Sequence, residues 1–250
     1  MKKPLSALLA TVFLLAGSIG SPAFAGSNES GRQRETIELA DARMKFEINA
    51  TDGDGGIQVF IDGDQWKWIS IHDPDGRRIF TTRTMGRMAL QGGTELFLES
   101  AEPTFDELPL DELLERFPEG EYGFTGRDLD GNRLVGTAVL THRLPAGPEL
   151  VFPIEGDPAQ DPGNTTLEWK PVTAPDGSPI IAYQVLVVQA ETGLPAMPNI
   201  ALDIIMPPTA TSLTVPSGFL QPDTEYEWEV LAIEESGNQT LSSSFLTTTP

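Results

Sequence analysis

The run Glu225-Tyr226-Glu227-Trp228-Glu229-Val230 constrains this chain more than any other segment. Large apolar side chains alternate with glutamates at period two, and an extended strand is what sorts such a pattern onto two faces. The run predicts a strand with Tyr226, Trp228 and Val230 on a buried face and Glu225, Glu227 and Glu229 on a wet one. The same period recurs nearby. Leu167 and Trp169 share a face in Thr166–Trp169, and Ile181, Tyr183, Val185 and Val187 share one in a second strand. The turn-forming run 174–179 separates the two. A Pro-rich stretch, Gly193 to Pro208, contains a strand candidate at Ile200 to Met206, whose prolines would blunt an edge. Ser212 to Val215 and, after the turn Ser236-Gly237-Asn238, Thr240 to Thr248 complete an all-β reading.

The order of these features resembles the fibronectin type III family. The resemblance is carried by Trp169, by Tyr183, and by Leu220-x-Pro222-x-Thr224-x-Tyr226, and it covers roughly residues 148–250. It implies a tyrosine corner, in which the Tyr226 phenol bonds back to the preceding loop. It also gives Trp169, Tyr183, Leu220, Pro222, Tyr226 and Trp228 structural roles. Trp228 departs from the family pattern, since a smaller aliphatic is usual there.

Toward the N-terminus the pattern is again β. Met44, Phe46 and Ile48 alternate, Asp52-Gly53-Asp54-Gly55-Gly56 turns the chain, and Ile57, Val59 and Ile61 alternate back, as in a hairpin. Asp62-Gly63-Asp64 predicts a further turn before a strand at Trp66 to Ile71. Asp73-Pro74-Asp75-Gly76 has turn chemistry, and Leu96 to Glu99 is another strand candidate. Leu110, Leu113, Leu114 and Phe117 fall at helical spacing between Pro109 and Pro118, which predicts one short helix. Gly120 to Phe124 and Arg133 to Leu140 form a hairpin around Asp128-Leu129-Asp130-Gly131. The expected fold is two tandem β-sandwiches: an immunoglobulin-like one with a helical insertion over 41–146, and the fibronectin-like one over 147–250. The whole is similar to exported bacterial proteins in which such a module precedes a fibronectin-like one.

Lys2, Lys3, the apolar run Leu8–Ala16 and Ala23-Phe24-Ala25 have the form of a signal peptide, with cleavage expected after Ala25 and a polar, mobile lead over 26–40. The apolar run is too short for a span of ~30 Å of hydrocarbon. These signals predict a secreted or periplasmic protein. The chain has no Cys, which excludes disulfides and lipoprotein-type acylation. Loss of the leader takes the formal charge from −21 to −23, and a chain this acidic repels nucleic acid and anionic membrane surfaces.

Catalytic signatures are absent. His72 and His142 are the only histidines, each beside turn or linker residues, and there is no G-x-S-x-G elbow or Walker loop. Two histidines without Cys cannot build structural zinc. No cofactor or metal is expected, although Asp52 and Asp54 begin like a calcium loop before Gln58 and Phe60 break the ligand pattern. The sequons at Asn28, Asn49, Asn164 and Asn238 are read as incidental. The expected function is a non-catalytic exported binding, adhesion or structural module for a protein or a glycan. The alternatives are a carbohydrate-binding accessory module, for which Trp66 and Trp68 on one strand face would form the sugar platform, and a weak glycoside hydrolase.

Overall fold

The computed structural model describes residues 34–173, 177–189 and 200–250. The expected signal peptide, the lead up to residue 33, the first half of the turn at 174–179 and the Pro-rich stretch from 193 to 199 lie outside these residues. The described chain is all-β apart from one 3-10 turn and one short helix. In order it runs β1 (Thr36–Glu38), β2 (Asp41–Asn49), β3 (Asp54–His72), β4 (Arg78–Arg83), β5 (Gly93–Glu99), α1 (Leu110–Arg116), β6 (Gly120–Asp128) and β7 (Arg133–Leu140). It continues through β8 (Leu150–Phe152), β9 (Thr166–Trp169), β10 (Ile180–Gln189), β11 (Ala201–Met206), β12 (Ser212–Thr214), β13 (Glu225–Glu234) and β14 (Gln239–Thr247).

Two large hydrophobic cores form, beside a small cluster of Leu186, Leu231 and Leu241. The first collects Met44, Phe46, Ile57, Ile61, Trp66, Ile69, Ile71, Tyr122, Phe124 and Leu134. The second collects Leu167, Trp169, Tyr183, Val185, Val187, Tyr226, Trp228 and Val230. Around the second core, β12-β9-β8 make one sheet and β14-β13-β10-β11 face it. This is a fibronectin type III-like sandwich with its last two strands as a hairpin. In the first part β3 is the spine. Its first half pairs with β2 and β5, and its second half with β4 and β6.

The sequence predicted two tandem sandwiches; here a single 11-stranded sheet runs through both parts, with nine strands in the order β1-β7-β6-β3-β2-β14-β13-β10-β11 and β4 and β5 off that path, each paired with β3. The join is a parallel pairing of Glu47–Asn49 on β2 with Gln239–Leu241 on β14. Register fixes which side chains share a face. Even-numbered residues of β2, β13 and β14 point toward the two cores, and odd-numbered ones toward the opposite face.

Several local expectations change. Asp62-Gly63-Asp64 does not turn the chain; it is a bulge within β3, seen as register shifts between Asp62 and Trp66. A bulge bends a strand and flips its parity without ending it, so Ile61, Trp66, Ile69 and Ile71 all enter one core. The lead is not mobile to residue 40: Thr36–Glu38 pairs parallel with Arg133–Val135, and Ile37 and Leu39 pack on the core. β4 had no apolar alternation to announce it. A second register shift, between Ile180 and Ala182, leaves Ile181 48% exposed while Ile180 packs inward.

Candidate functional site

The same hairpin is built twice. Tyr226 Oη accepts the Gln221 backbone N–H at 2.8 Å, which is a tyrosine corner. Tyr122, fully buried at the start of β6, donates its hydroxyl to the Pro118 carbonyl at 3.0 Å. Pro118-x-Gly120-x-Tyr122 has the spacing of Pro222-x-Thr224-x-Tyr226, and Asp130-Gly131-Asn132 matches Ser236-Gly237-Asn238 at the hairpin turn. That internal repeat was readable in the sequence by superposing the two Pro-x-x-x-Tyr motifs.

The repeat extends to the strand beside each hairpin. Asn132 Oδ1 accepts the Glu35 N–H, and β1 then pairs parallel with the start of β7. Asn238 Oδ1 accepts the Phe46 N–H at 2.9 Å, and β2 then pairs parallel with the start of β14. The end of β2 therefore does for the second core what β1 does for the first. Asn238 is 1% exposed. Its amide also donates to the Thr141 carbonyl and the Arg143 carbonyl, both at 2.9 Å. Thr240 Oγ1 donates to the Pro145 carbonyl at 2.7 Å, and a Cβ on Gly147 would stand 2.5 Å from the Ala50 Cβ. Buried polar atoms so thoroughly paired fix a geometry.

Acidic groups gather on the opposite face of the sheet at this join. Lys45 and Glu47 on β2 stand beside Gln58 and Gly56 on β3, with Glu99 on β5 beyond and Gln239 on β14 on the other side. A Cβ on Gly56 would lie 3.0 Å from Glu102 Cγ. The bare backbone there lets Glu102, exposed as a residue, tuck its carboxyl end against the sheet. Carboxylate oxygens of Glu47, Glu99 and Glu102 all lie within 4.8 Å of one another.

The electrostatics follow from crowding. Burial, then Glu99, Glu47 and Asp54, pushes the Glu102 carboxyl up to about 8. Burial, then Glu227, Glu47 and Asp52, does the same to Glu229, also to about 8. Burial raises Glu47 against the opposing pull of Lys45. Lys45 itself is pushed down to about 8 by burial, and its Nζ donates to Gln239 Oε1 at 2.6 Å. Gln239 Nε2 donates to Glu47. Gln58, 4% exposed, donates Nε2 to Glu99 Oε1 at 2.8 Å, and its own carbonyl oxygen has no partner. The glutamates of β13 thus do not all face water: Glu225 is exposed, while Glu227 and Glu229 are half-buried.

The residues singled out by sequence fall as follows. Trp169, Tyr183, Tyr226 and Trp228 are buried, Leu220 packs beside them, and Pro222 is exposed at the corner. Tyr183 Oη accepts the Val172 N–H at 2.7 Å, and Trp228 Nε1 donates to the Pro153 carbonyl at 2.9 Å. Trp66 and Trp68 do not form a platform: Trp66 is 4% exposed in the first core and a register shift separates it from half-buried Trp68. Asp52 belongs to a turn, accepting from Asn49 Nδ2 at 3.0 Å, and Asp54 opens β3 beneath Glu102. His142 is held by the Phe117 carbonyl at 2.9 Å and the Phe46 ring at 5.8 Å; His72 ends β3. Sequence reasoning missed Lys45, Glu47, Gln58, Glu99 and Glu102, because their meeting depends on the registers of three strands.

It also missed a basic tip. Between Asp75 and Glu95 stand Arg77, Arg78, Arg83 and Arg87 and no acid. All four are exposed: Arg77 just before β4, where it pairs with Asp75 at 2.7 Å, Arg78 and Arg83 on β4, and Arg87 on the 3-10 turn Gly86–Leu90 that follows. Interleaved with them, Ile79, Met85, Met88 and Leu90 are 42%, 74%, 53% and 84% exposed.

No protein-family model matches this chain, and no curated protein matches it. Among solved structures it is similar to fibronectin(III)-like modules of CbhA from Clostridium thermocellum, at 11% identity over 88% of this chain and 93% of that one, with a TM-score of 0.32. It is similar to the FN1–FN3 domains of chicken CNTN1 at 12% identity, 87% and 69% coverage and a TM-score of 0.33. It is also similar to a chain from a 1.5-MDa bacterial ice-binding adhesin at 17% identity, 87% and 66% coverage and a TM-score of 0.27. The fibronectin-like character of the C-terminal part rests on its strand order and its corner. No helix among the described residues is long and apolar enough to cross a membrane.

Proposed function

We propose that this chain is a non-catalytic binding module acting outside the cytoplasm, made of two domains, 41–146 and 147–250, fused through the shared strand β2. The carrying observation is the basic, apolar tip on β4 and its following turn. Trp169, Tyr183, Tyr226 and Trp228 of the second sandwich are committed to its core and its corner. Apolar side chains wetted to this degree, interleaved along the sequence with arginines in a chain of strong negative charge, fit a protein surface whose acidic groups surround an apolar pocket. Arg and Met are residue types that interfaces favour.

The glycan reading loses its support with Trp66 inside the core.

Affinity capture from the native cell envelope and medium tests the proposal. The wild type is compared with Arg83→Glu/Arg87→Glu and with Met85→Ser/Met88→Ser/Leu90→Ser. A protein retained by the wild type, released by raised salt and lost from both variants is the expected result. Equal retention by all three chains would rule this surface out, and turnover on a glycan panel would replace the proposal with an enzyme.

A further inference from the structure

We infer that the basic tip docks on a second copy of this chain, against the acidic and apolar rim made by β8 and the segment after it. This rests on the tip's docking on a protein, proposed above, and supplies that protein's identity. Two stretches of the sequence carry it. From Gly76 to Thr94 the chain holds four arginines and no acid. From Leu144 to Trp169 it holds Glu149, Glu155, Asp157, Asp161 and Glu168 and no lysine or arginine.

The same two stretches hold most of the wet apolar groups. Of the eleven large apolar side chains exposed among the described residues, seven lie in them. Single exposed apolar groups are ordinary on a protein surface, but their concentration in two oppositely charged stretches is not. The tip contributes Ile79, Met85, Met88 and Leu90. The acidic stretch contributes Val151, Phe152 and Ile154, which are 43%, 37% and 43% exposed.

Both stretches lie where another molecule can reach them. Among the described residues β4 pairs only with β3, and β8 is an outer strand of the β12-β9-β8 sheet. A register shift between Leu150 and Phe152 makes Val151 the extra residue of a bulge, while Leu150 packs on the second core. Phe152 pairs with Glu168 and both are exposed, so an apolar ring and a carboxylate stand side by side across two strands. Exposed Glu155 follows Ile154 directly. On the tip, the 3-10 turn buries none of its own side chains. Arg77 pairs with Asp75, and Glu149 with Lys170, within one chain. The contact between copies is therefore assigned to Arg78, Arg83 and Arg87 on one side and to Glu155 and Glu168 on the other.

A formal charge of −21 makes two copies repel at a distance. At physiological salt that repulsion is screened beyond about 8 Å, whereas opposite charges brought together beside apolar neighbours still attract. Tip and rim are different surfaces, so the contact runs head to tail. Made twice about a two-fold axis it closes a dimer, and made once it continues as a chain.

Sedimentation equilibrium of the purified full chain, over a wide range of concentration, is run in about 0.15 M and about 1 M NaCl. The expected result is a mass that climbs above that of one chain with concentration at the lower salt and falls back at the higher. Arg83→Glu/Arg87→Glu and Glu155→Lys/Glu168→Lys should each weaken self-association at least about tenfold. Both should melt near the wild type, because all four side chains are exposed. Mixing the two variants should restore a one-to-one pair, since one keeps the tip and the other keeps the rim. The mass of one chain at every concentration, or self-association that both variants retain, would overturn the inference. Capture of a foreign protein through the tip by a chain that stays single would overturn it too, while leaving the wider proposal standing.

Discussion

At the scale of single residues, a side chain's role here follows from how its polar atoms are matched. Tyr226 and Tyr122 occupy equivalent corners, yet one accepts from a backbone N–H and the other donates to a carbonyl. Glu229 lies at the other extreme. Burial, then the charges of Glu227, Glu47 and Asp52, disfavours its ionised form, so the folded chain holds a proton that the unfolded chain releases above the ordinary glutamate range. With more protons bound in the folded state, stability falls as pH rises from about 4.5 toward about 8. Glu229→Gln should remove that contribution. Its Tm should exceed that of the wild type by a few degrees at pH 8 and match it near pH 4. An equal offset at both pH values would show that Glu229 is not the titrating group.

At the scale of elements, the pairing of β3 with β6 sets the sharpest test. A Cβ on Gly126 would sit 2.5 Å from the Trp68 carbonyl oxygen, which is backbone and cannot rotate away. Gly123, three residues earlier on β6, would meet nothing within 4 Å. Gly126→Ala should therefore destabilise the chain by about 2 kcal/mol or more, as overpacking does. Gly123→Ala should be neutral or stabilise it by a few tenths of a kcal/mol. Urea unfolding of the pair reads the contrast.

Elements of this kind were also where the sequence was most legible. Alternation placed β2, the first half of β3, β6, β9 and β13, because in each the large apolar side chains of one core fall at every second position. It placed α1, because Leu110, Leu113 and Phe117 keep helical spacing and pack on the first core. It failed at β3's centre, where two aspartates and a glycine look like a turn but make a bulge. It failed at β1 and β4, which are short or polar and are held by neighbours rather than by their own pattern. The acidic cluster was illegible for a different reason. Glu47 and Glu99 lie far apart along the chain, and only the β2-β3-β5 registers bring them together.

At the scale of the whole molecule, the sheet that spans both cores is the defining feature, and Asn238 is its fastening. Asn238→Ala would leave the Phe46 N–H and the Thr141 and Arg143 carbonyls unpaired in the join. The expected loss is about 2–4 kcal/mol in denaturant unfolding, in a single transition that lowers both cores together. Asn132→Ala, at the equivalent but more open position on the first hairpin, should cost less than about 1 kcal/mol. Two well-separated transitions in the wild type would show that the cores do not unfold as one.

β14 covers two edges at once, those of β13 and of β2. Without Gln239–Leu241, the rim of β2 beyond Phe46 and the rim of β13 would both stand open, and each would invite pairing with a stranger. One strand thus shields two sticky places, so that docking of β14 and protection from edge-to-edge self-association become the same event.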